Sequence, residues 1–201
     1  MKRVQVYKTE NKEKDKSPKS PSNKTRNRTS NDPLTREECN LLFRSIDDLG
    51  DYTLILTGLY TGMRISEISQ IGEILISPEE SKIRVWDEKK DLYRDVFVNQ
   101  DVISALKRFI SIRAEKDPRI FPWSVKTIER KIQHWTGKTL SKTKSWHAVR
   151  HTYISLSREM GIPMEIVIAN TGDSAATILK YYSKPSAAYI RRVLNENRLY
   201  D

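Results

Sequence analysis

Trp146-His147-Ala148-Val149-Arg150-His151, followed by the pair Tyr181-Tyr182, is the stretch around which the rest of the chain is organised. On a helix, His147 and Arg150 are three residues apart and share a face. Three chemistries fit that face. His147 and His151, four apart, resemble half of a zinc site, but a zincin needs glutamate directly after the first histidine. Here that position is Ala148, and Arg150 would set a cation beside the metal. A second reading is structural, with one histidine capping or packing in the core, and it suits His151 best. In the third, His147 and Arg150 together handle an anion such as a phosphate.

Working back towards the amino terminus, the charge is uneven. Residues 1–33 hold ten Lys/Arg against four Asp/Glu, in a chain of 201 residues with a formal net charge of +10. This stretch lacks apolar periodicity and carries Ser17-Pro18, Ser20-Pro21 and a polar run from Asn23 to Asn31. It reads as a flexible basic arm suited to a polyanion, because lysines that neutralise phosphates release counterions. A solvated leader with no partner is the plainer alternative. Residues 34–201 have the length of one domain. The single cysteine, Cys39, excludes an internal disulfide framework and fits a reducing compartment. No apolar run approaches the roughly 20 residues of a membrane helix, and the amino terminus lacks a signal-peptide core. These features point to a cytoplasmic protein.

Order is expected from Pro33 on. Thr35-Arg36-Glu37-Glu38 has the form of a capping box. Leu41, Leu42, Ile46 and Leu49 follow at helical spacing, with Gly50 as the expected stop. Asp51 then opens an apolar helix that Thr61-Gly62 breaks, and Arg64 to Ile68 starts another turn. Residues 82–86 and 94–98 read as an antiparallel hairpin around Asp87-Glu88-Lys89-Lys90-Asp91. An amphipathic helix over 99–113 and one from Ser124 past Trp135 come next, then a basic loop over 137–143. The opening stretch lies in a helix over 145–160. Pro163 starts a short helix, residues 170–173 turn, Ser174 caps a helix to about Tyr182, and a last amphipathic helix covers 187–199. The fold class is mainly α (α+β), with one small antiparallel sheet.

A metal-free reaction at a phosphodiester needs particular groups. Charge builds on two non-bridging oxygens in the transition state, and guanidinium groups match that geometry better than ammonium. Preorganised positive charge is commonly the largest catalytic contribution. Tyrosine can serve as a nucleophile once it loses its proton, from an ordinary pKa near ~10. Lysine or histidine can protonate the departing oxygen.

Ordered along the chain, these residues resemble the tyrosine recombinases, the family of phage integrases and Xer-type resolvases. Thr57-Gly58-Leu59-Tyr60-Thr61-Gly62-Met63-Arg64-Ile65-Ser66-Glu67-Ile68 looks like its first arginine box. His147-Ala148-Val149-Arg150-His151-Thr152 matches its His-x-x-Arg-His box. Thr171-Gly172-Asp173-Ser174 stands where the family has Leu-Gly-His-Ser, and Tyr182 falls at the nucleophile's place. The resemblance covers about residues 34–201.

That resemblance implies a site-specific recombinase catalytic domain that cuts and rejoins double-stranded DNA without cofactor, metal or small-molecule substrate. Arg64 and Arg150 would hold the scissile phosphate, and His147 would move a proton or bind a phosphate oxygen. Lys89, with Lys90 as the competing residue, would protonate the leaving 5′-oxygen. Glu67 would be a supporting carboxylate. Tyr182, with Tyr181 as its rival, would form a 3′-phosphotyrosyl link. The working form would be a homo-oligomer, a tetramer on DNA, with the last helix docking on a neighbour. Two departures stand out. Asp173 replaces the family's second histidine, and the stretch before residue 34 is too short and too polar for the family's core-binding domain. Both features also suit a non-catalytic DNA-binding relative. A metal-dependent enzyme built on His147, His151 and Asp173, and a relaxing topoisomerase, are further alternatives.

Overall fold

The computed structural model describes residues 29–113 and 117–181, together with 191, 195 and 196. Among these the order is α1 (Arg36–Ser45), α2 (Leu49–Thr61), α3 (Ile65–Ile68), a 3-10 turn (Glu73–Leu75), β1 (Ile76–Ser77), β2 (Lys82–Asp87) and β3 (Leu92–Phe97). Then come α4 (Gln100–Ile112), α5 (Val125–Leu140), α6 (Trp146–Glu159), α7 (Met164–Thr171) and α8 (Ala175–Tyr181). Helices dominate and the single sheet is antiparallel, as the sequence led us to expect. Tyr182, residues 1–28 and nearly all of the last helix expected over 187–199 lie outside the described residues.

Helix α2 is the axis of the core. It is buried nearly all round, including Leu54, Ile55, Leu56 and Leu59. Three threonines share this apolar position because each hydroxyl donates to the carbonyl four residues back: Thr53 to Leu49, Thr57 to Thr53 and Thr61 to Thr57, at 2.6–2.7 Å. A buried hydroxyl without such a partner would be costly. α4 and α6 pack on α2, and α1 packs on α5.

Glycine decides how closely α6 approaches. A Cβ on Gly58 would lie 2.6 Å from the Trp146 ring. The bare backbone there admits the indole, whose Nε1 donates to the Met63 carbonyl at 3.0 Å. The start of α6 is thereby docked at the end of α2, one residue before Arg64.

Several boundaries differ from the sequence expectation. The Thr35/Glu38 capping box forms as read, but α1 ends at Ser45 and Gly50 does not stop it. Gly50 sits in the first turn of α2, where an added Cβ would be 3.0 Å from both Phe109 and Trp123. Asp48, not Asp51, caps that helix. Asp51 is buried and takes the Trp135 Nε1–H at 2.7 Å and Lys131 Nζ at 2.5 Å. α5 continues through Gly137 into the expected loop and ends at Ser141, which takes the left-handed conformation.

The sheet has a third strand, β1, too short to show period-two patterning. Its hairpin pairs Val85 with Arg94 and Asp87 with Leu92, leaving Glu88 to Asp91 as the turn. Because strand side chains alternate, Ile83, Val85 and Asp87 all face inward. A carboxylate therefore ends the buried row.

Contacts with the fold begin before Pro33. Ser30 bridges to Lys144, with Ser30 N–H donating to the Thr143 carbonyl at 2.8 Å. Lys144 Nζ, on a buried residue, donates to the Asp32 carbonyl at 3.1 Å. Leu34 is buried, and its N–H reaches Thr152 Oγ1 at 2.8 Å.

Candidate active site

Arg64 follows the left-handed Gly62 that ends α2 and caps the four-residue α3. Its backbone N–H donates to Glu67 Oε2 at 2.7 Å and its Nη1 to Glu67 Oε1 at 2.9 Å. Glu67 thus grips both ends of the residue. Its carboxylate is almost wholly buried, so the guanidinium is aimed by a fixed partner.

Arg150 reaches the same place from the fifth residue of α6. It is buried, and its Nη1 and Nη2 donate to the carbonyls of Gly62 at 2.5 Å and Thr171 at 2.8 Å. Those carbonyls end α2 and α7 respectively, where helix carbonyls lack intrahelical donors. Arg150 therefore ties the two helix ends together.

Asp173 lies between the two arginines. Its Oδ1 is 2.9 Å from Arg64 Nη2 and its Oδ2 is 2.6 Å from Arg150 Nη2. Arg64 and Asp173 are 109 residues apart in sequence. Burial opposes ionisation of Asp173, but Arg150 and Arg64 outweigh it and hold its pKa below the ordinary carboxylate value. Burial pushes Arg150 down, with Asp173 offsetting part of the effect. For Arg64, burial also acts downward, but Glu67, Asp173 and Asp87 together raise it.

The hairpin contributes from behind. Asp87, 1% exposed, places Oδ2 3.7 Å from Arg64 Nη1, and its Oδ1 takes the Lys89 N–H at 3.1 Å. Lys89 and Lys90 are both exposed on the turn that Asp87 opens. Arg94 of β3 donates from Nη2 to Glu67 Oε2 at 2.9 Å and from Nη1 to the Asn170 carbonyl. Both Asp87 and Arg94 escaped the sequence reading. The usable signal was strand alternation, since a charged residue sharing a face with buried Val96 calls for a buried partner.

His147 is exposed at the start of α6, and its ring centre is 4.0 Å from that of His151. His151 Nδ1 pairs with the Asn31 carbonyl at 3.1 Å. Burial and neighbouring His147 push the His151 pKa down, against the opposing effect of that carbonyl. A cleft of about 360 Å³ is lined by Arg64, Arg150, His147, Asn31, Ser145 and Glu129, among others. Asn31, from the stretch read as an arm, is thus at the rim, held by the Ser145 hydroxyl at 2.6 Å. Among the described residues, no group of three or more His, Cys, Asp or Glu could hold a metal ion. Nor is any described helix long and apolar enough to cross a membrane.

The structure therefore brings together Arg64, Arg150, Asp173, Glu67 and His147, with Lys89 on the adjoining turn. Tyr181 ends α8. The helical domain with its small antiparallel sheet is the fold expected of a phage-integrase catalytic domain. Residues 32–188 match the model of the Phage integrase family, and the chain belongs to that family.

Its relatives include tyrosine recombinase XerA of Pyrococcus horikoshii, 21% identical over 175 residues, which cover 83% of this chain and 61% of that protein. XerA of Pyrococcus furiosus is 23% identical over 177 residues, 83% of this chain and 62% of the relative. The chain thus spans about three fifths of the length of these relatives. The XerA recombinase crystal structure superposes with a TM-score of 0.69 at 22% identity, over 83% of this chain and 65% of that one. XerH bound to its difH substrate gives 0.67 at 17% identity, over 80% and 53%.

Proposed function

We propose that this chain is the strand-cleaving domain of a site-specific DNA recombinase. The observation that carries the reading is the convergence of Arg64 and Arg150 on one carboxylate beside His147. Two guanidinium groups already share one oxyanion there, and a phosphodiester with two non-bridging oxygens is the natural competitor for that position.

In this reaction the Tyr182 oxygen attacks phosphorus and the bond from phosphorus to the 5′-oxygen breaks. Arg64 and Arg150 take the charge on the non-bridging oxygens. His147 accepts the phenol proton or holds a phosphate oxygen, and Lys89 gives a proton to the leaving oxygen. The products are a 3′-phosphotyrosyl link and a free 5′-hydroxyl. Attack by another strand's 5′-hydroxyl reverses each step, so no nucleotide cofactor is consumed. The partner is double-stranded DNA, bound by a homo-tetramer across two sites, in a cytoplasmic, nucleoid-associated setting.

The test uses duplexes selected from a randomised pool by retention on the protein, then nicked near the cleavage position so that the released fragment diffuses away. A covalent protein–DNA adduct is expected, lost in Tyr182→Phe and kept in Tyr181→Phe. The reverse pattern would move the nucleophile to Tyr181. One observation favours a second reading, a non-catalytic DNA-binding relative: Asp173 already occupies both arginines. Salt-sensitive duplex binding with no adduct under any condition would establish that reading instead.

A further inference from the structure

Arg94 stands behind the two arginines of the cleft and has no part in the reaction described above. Its guanidinium shares Glu67 with Arg64: Oε2 takes Arg94 Nη2 at 2.9 Å, and Oε1 takes Arg64 Nη1 at 2.9 Å. Its side chain is 10% exposed. On the other side it donates to the Asn170 carbonyl, and Asn170 is itself bonded twice to Phe97, through Oδ1 at 3.0 Å and Nδ2 at 2.8 Å. β3 is therefore fastened to the end of α7, the segment whose Thr171 carbonyl and Asp173 hold Arg150. The fit has no slack, since a Cβ on Gly172 would lie 2.8 Å from Arg94 Nε.

Charge adds a second reason. Glu67, Asp87 and Asp173 face Arg64, Arg94 and Arg150, so the cluster balances. Without Arg94, a buried negative charge would be uncompensated at the place a phosphate must enter, and Glu67 would hold Arg64 more tightly.

We propose that Arg94 is a positioning residue for the scissile phosphate. It neutralises Glu67 so that Arg64 can turn its outer nitrogen to the phosphate. It also seats the hairpin bearing Lys89 against the α7 segment that holds Arg150. This inference rests on reading the cleft as the phosphate site.

The experiment compares Arg94→Met, Arg94→Lys, Glu67→Gln and the Arg94→Met/Glu67→Gln double variant with the wild type. Duplex affinity and the rate of adduct formation at saturating nicked duplex are both measured. Arg94→Met should lose on the order of tenfold to a hundredfold in affinity and in rate. The double variant should recover a large part of the affinity, because the uncompensated carboxylate is removed with its partner. A double variant no better than Arg94→Met would overturn the proposal, since a merely structural role gives no such rescue. Arg94→Lys keeps the charge but not the fork, so affinity should stay within a fewfold of wild type while the rate falls roughly tenfold. Equal losses in both quantities for Arg94→Lys would also overturn it, and this arm stands if Arg94→Met does not fold. A wild type that binds duplex without forming an adduct sinks the recombinase reading instead. The affinities then judge Arg94 alone, and an unchanged affinity in Arg94→Met overturns its role.

Discussion

Asp173 sets the terms at the scale of single residues. Its carboxylate pairs with both Arg64 and Arg150, so on the proposed function a phosphate would have to displace it. Asp173→Asn keeps the shape and removes the charge. It should lower folding stability by about 2 kcal/mol, less than a fully buried broken pair, because both arginines keep other acceptors. It should also tighten duplex binding roughly threefold to tenfold, since the competing anion is gone. The sign of the pH effect follows from the depressed pKa. The stability contributed by Asp173 is present above its unfolded value near ~3.9 and is lost as pH falls through the lower folded value. Phosphate binding acts in the opposite sense. Once the arginines turn to DNA, the carboxylate loses its counter-charges, its pKa rises, and binding takes up a proton. Wild-type affinity should therefore climb more steeply than that of Asp173→Asn as pH falls from about 8 to about 5. Fluorescence anisotropy on both proteins checks this. Parallel pH curves would show that Asp173 does not compete with the phosphate.

Among elements, the junction of α2 and α6 decides whether the site exists at all. The boxes around Arg64 and Arg150 were legible because each is a local pattern. What joins them is a contact between distant segments, Gly58 under the Trp146 indole, and no local periodicity reports it. The same holds for Asp51 with Lys131 and Trp135, which turned an expected helix start into a buried polar anchor. The hairpin's existence was visible in its β-branched runs, whereas the inward faces of Asp87 and Arg94 depended on register across the pair. Gly58→Ala tests the junction. A Cβ 2.6 Å from the ring forces a shift, and overpacking of this kind costs about 1–3 kcal/mol. For a chain of this length that lowers the thermal midpoint by roughly 3–10 °C. The adduct rate should fall further than the stability loss alone explains, because the shift separates Arg64 from Arg150. A destabilised variant with wild-type adduct rate below its midpoint would mean that the indole contact does not set the arginine spacing.

For the whole molecule, the proposed division is between a basic amino-terminal arm and the domain that follows it. All ten Lys/Arg of residues 1–33 precede residue 29. The chain then enters the fold at Ser30 and passes Asn31 along the rim of the cleft that holds Arg64 and His147. Lys144 and Ser145 fix that passage through Asp32, Ser30 and Asn31. On the proposed function, a DNA backbone lying in the cleft would pass Asn31, three residues after Arg28 in the sequence. Removing residues 1–28 should leave the thermal midpoint unchanged, because the contacts of Ser30 to Leu34 remain. Duplex affinity should fall, and so should its salt dependence, by about 0.9 in the log–log slope for each phosphate no longer neutralised. With ten cations removed, a loss of several units is expected. Removing residues 1–34 should add a second effect of a different kind. Leu34 leaves the core and buried Lys144 loses its acceptor at Asp32, so the midpoint falls while the salt slope changes little beyond the first truncation. Binding across a salt series and thermal melts of both truncations separate the two contributions. An unchanged salt slope on removing residues 1–28 would show that the basic stretch does not meet the duplex, leaving the cleft and the hairpin turn to supply the affinity.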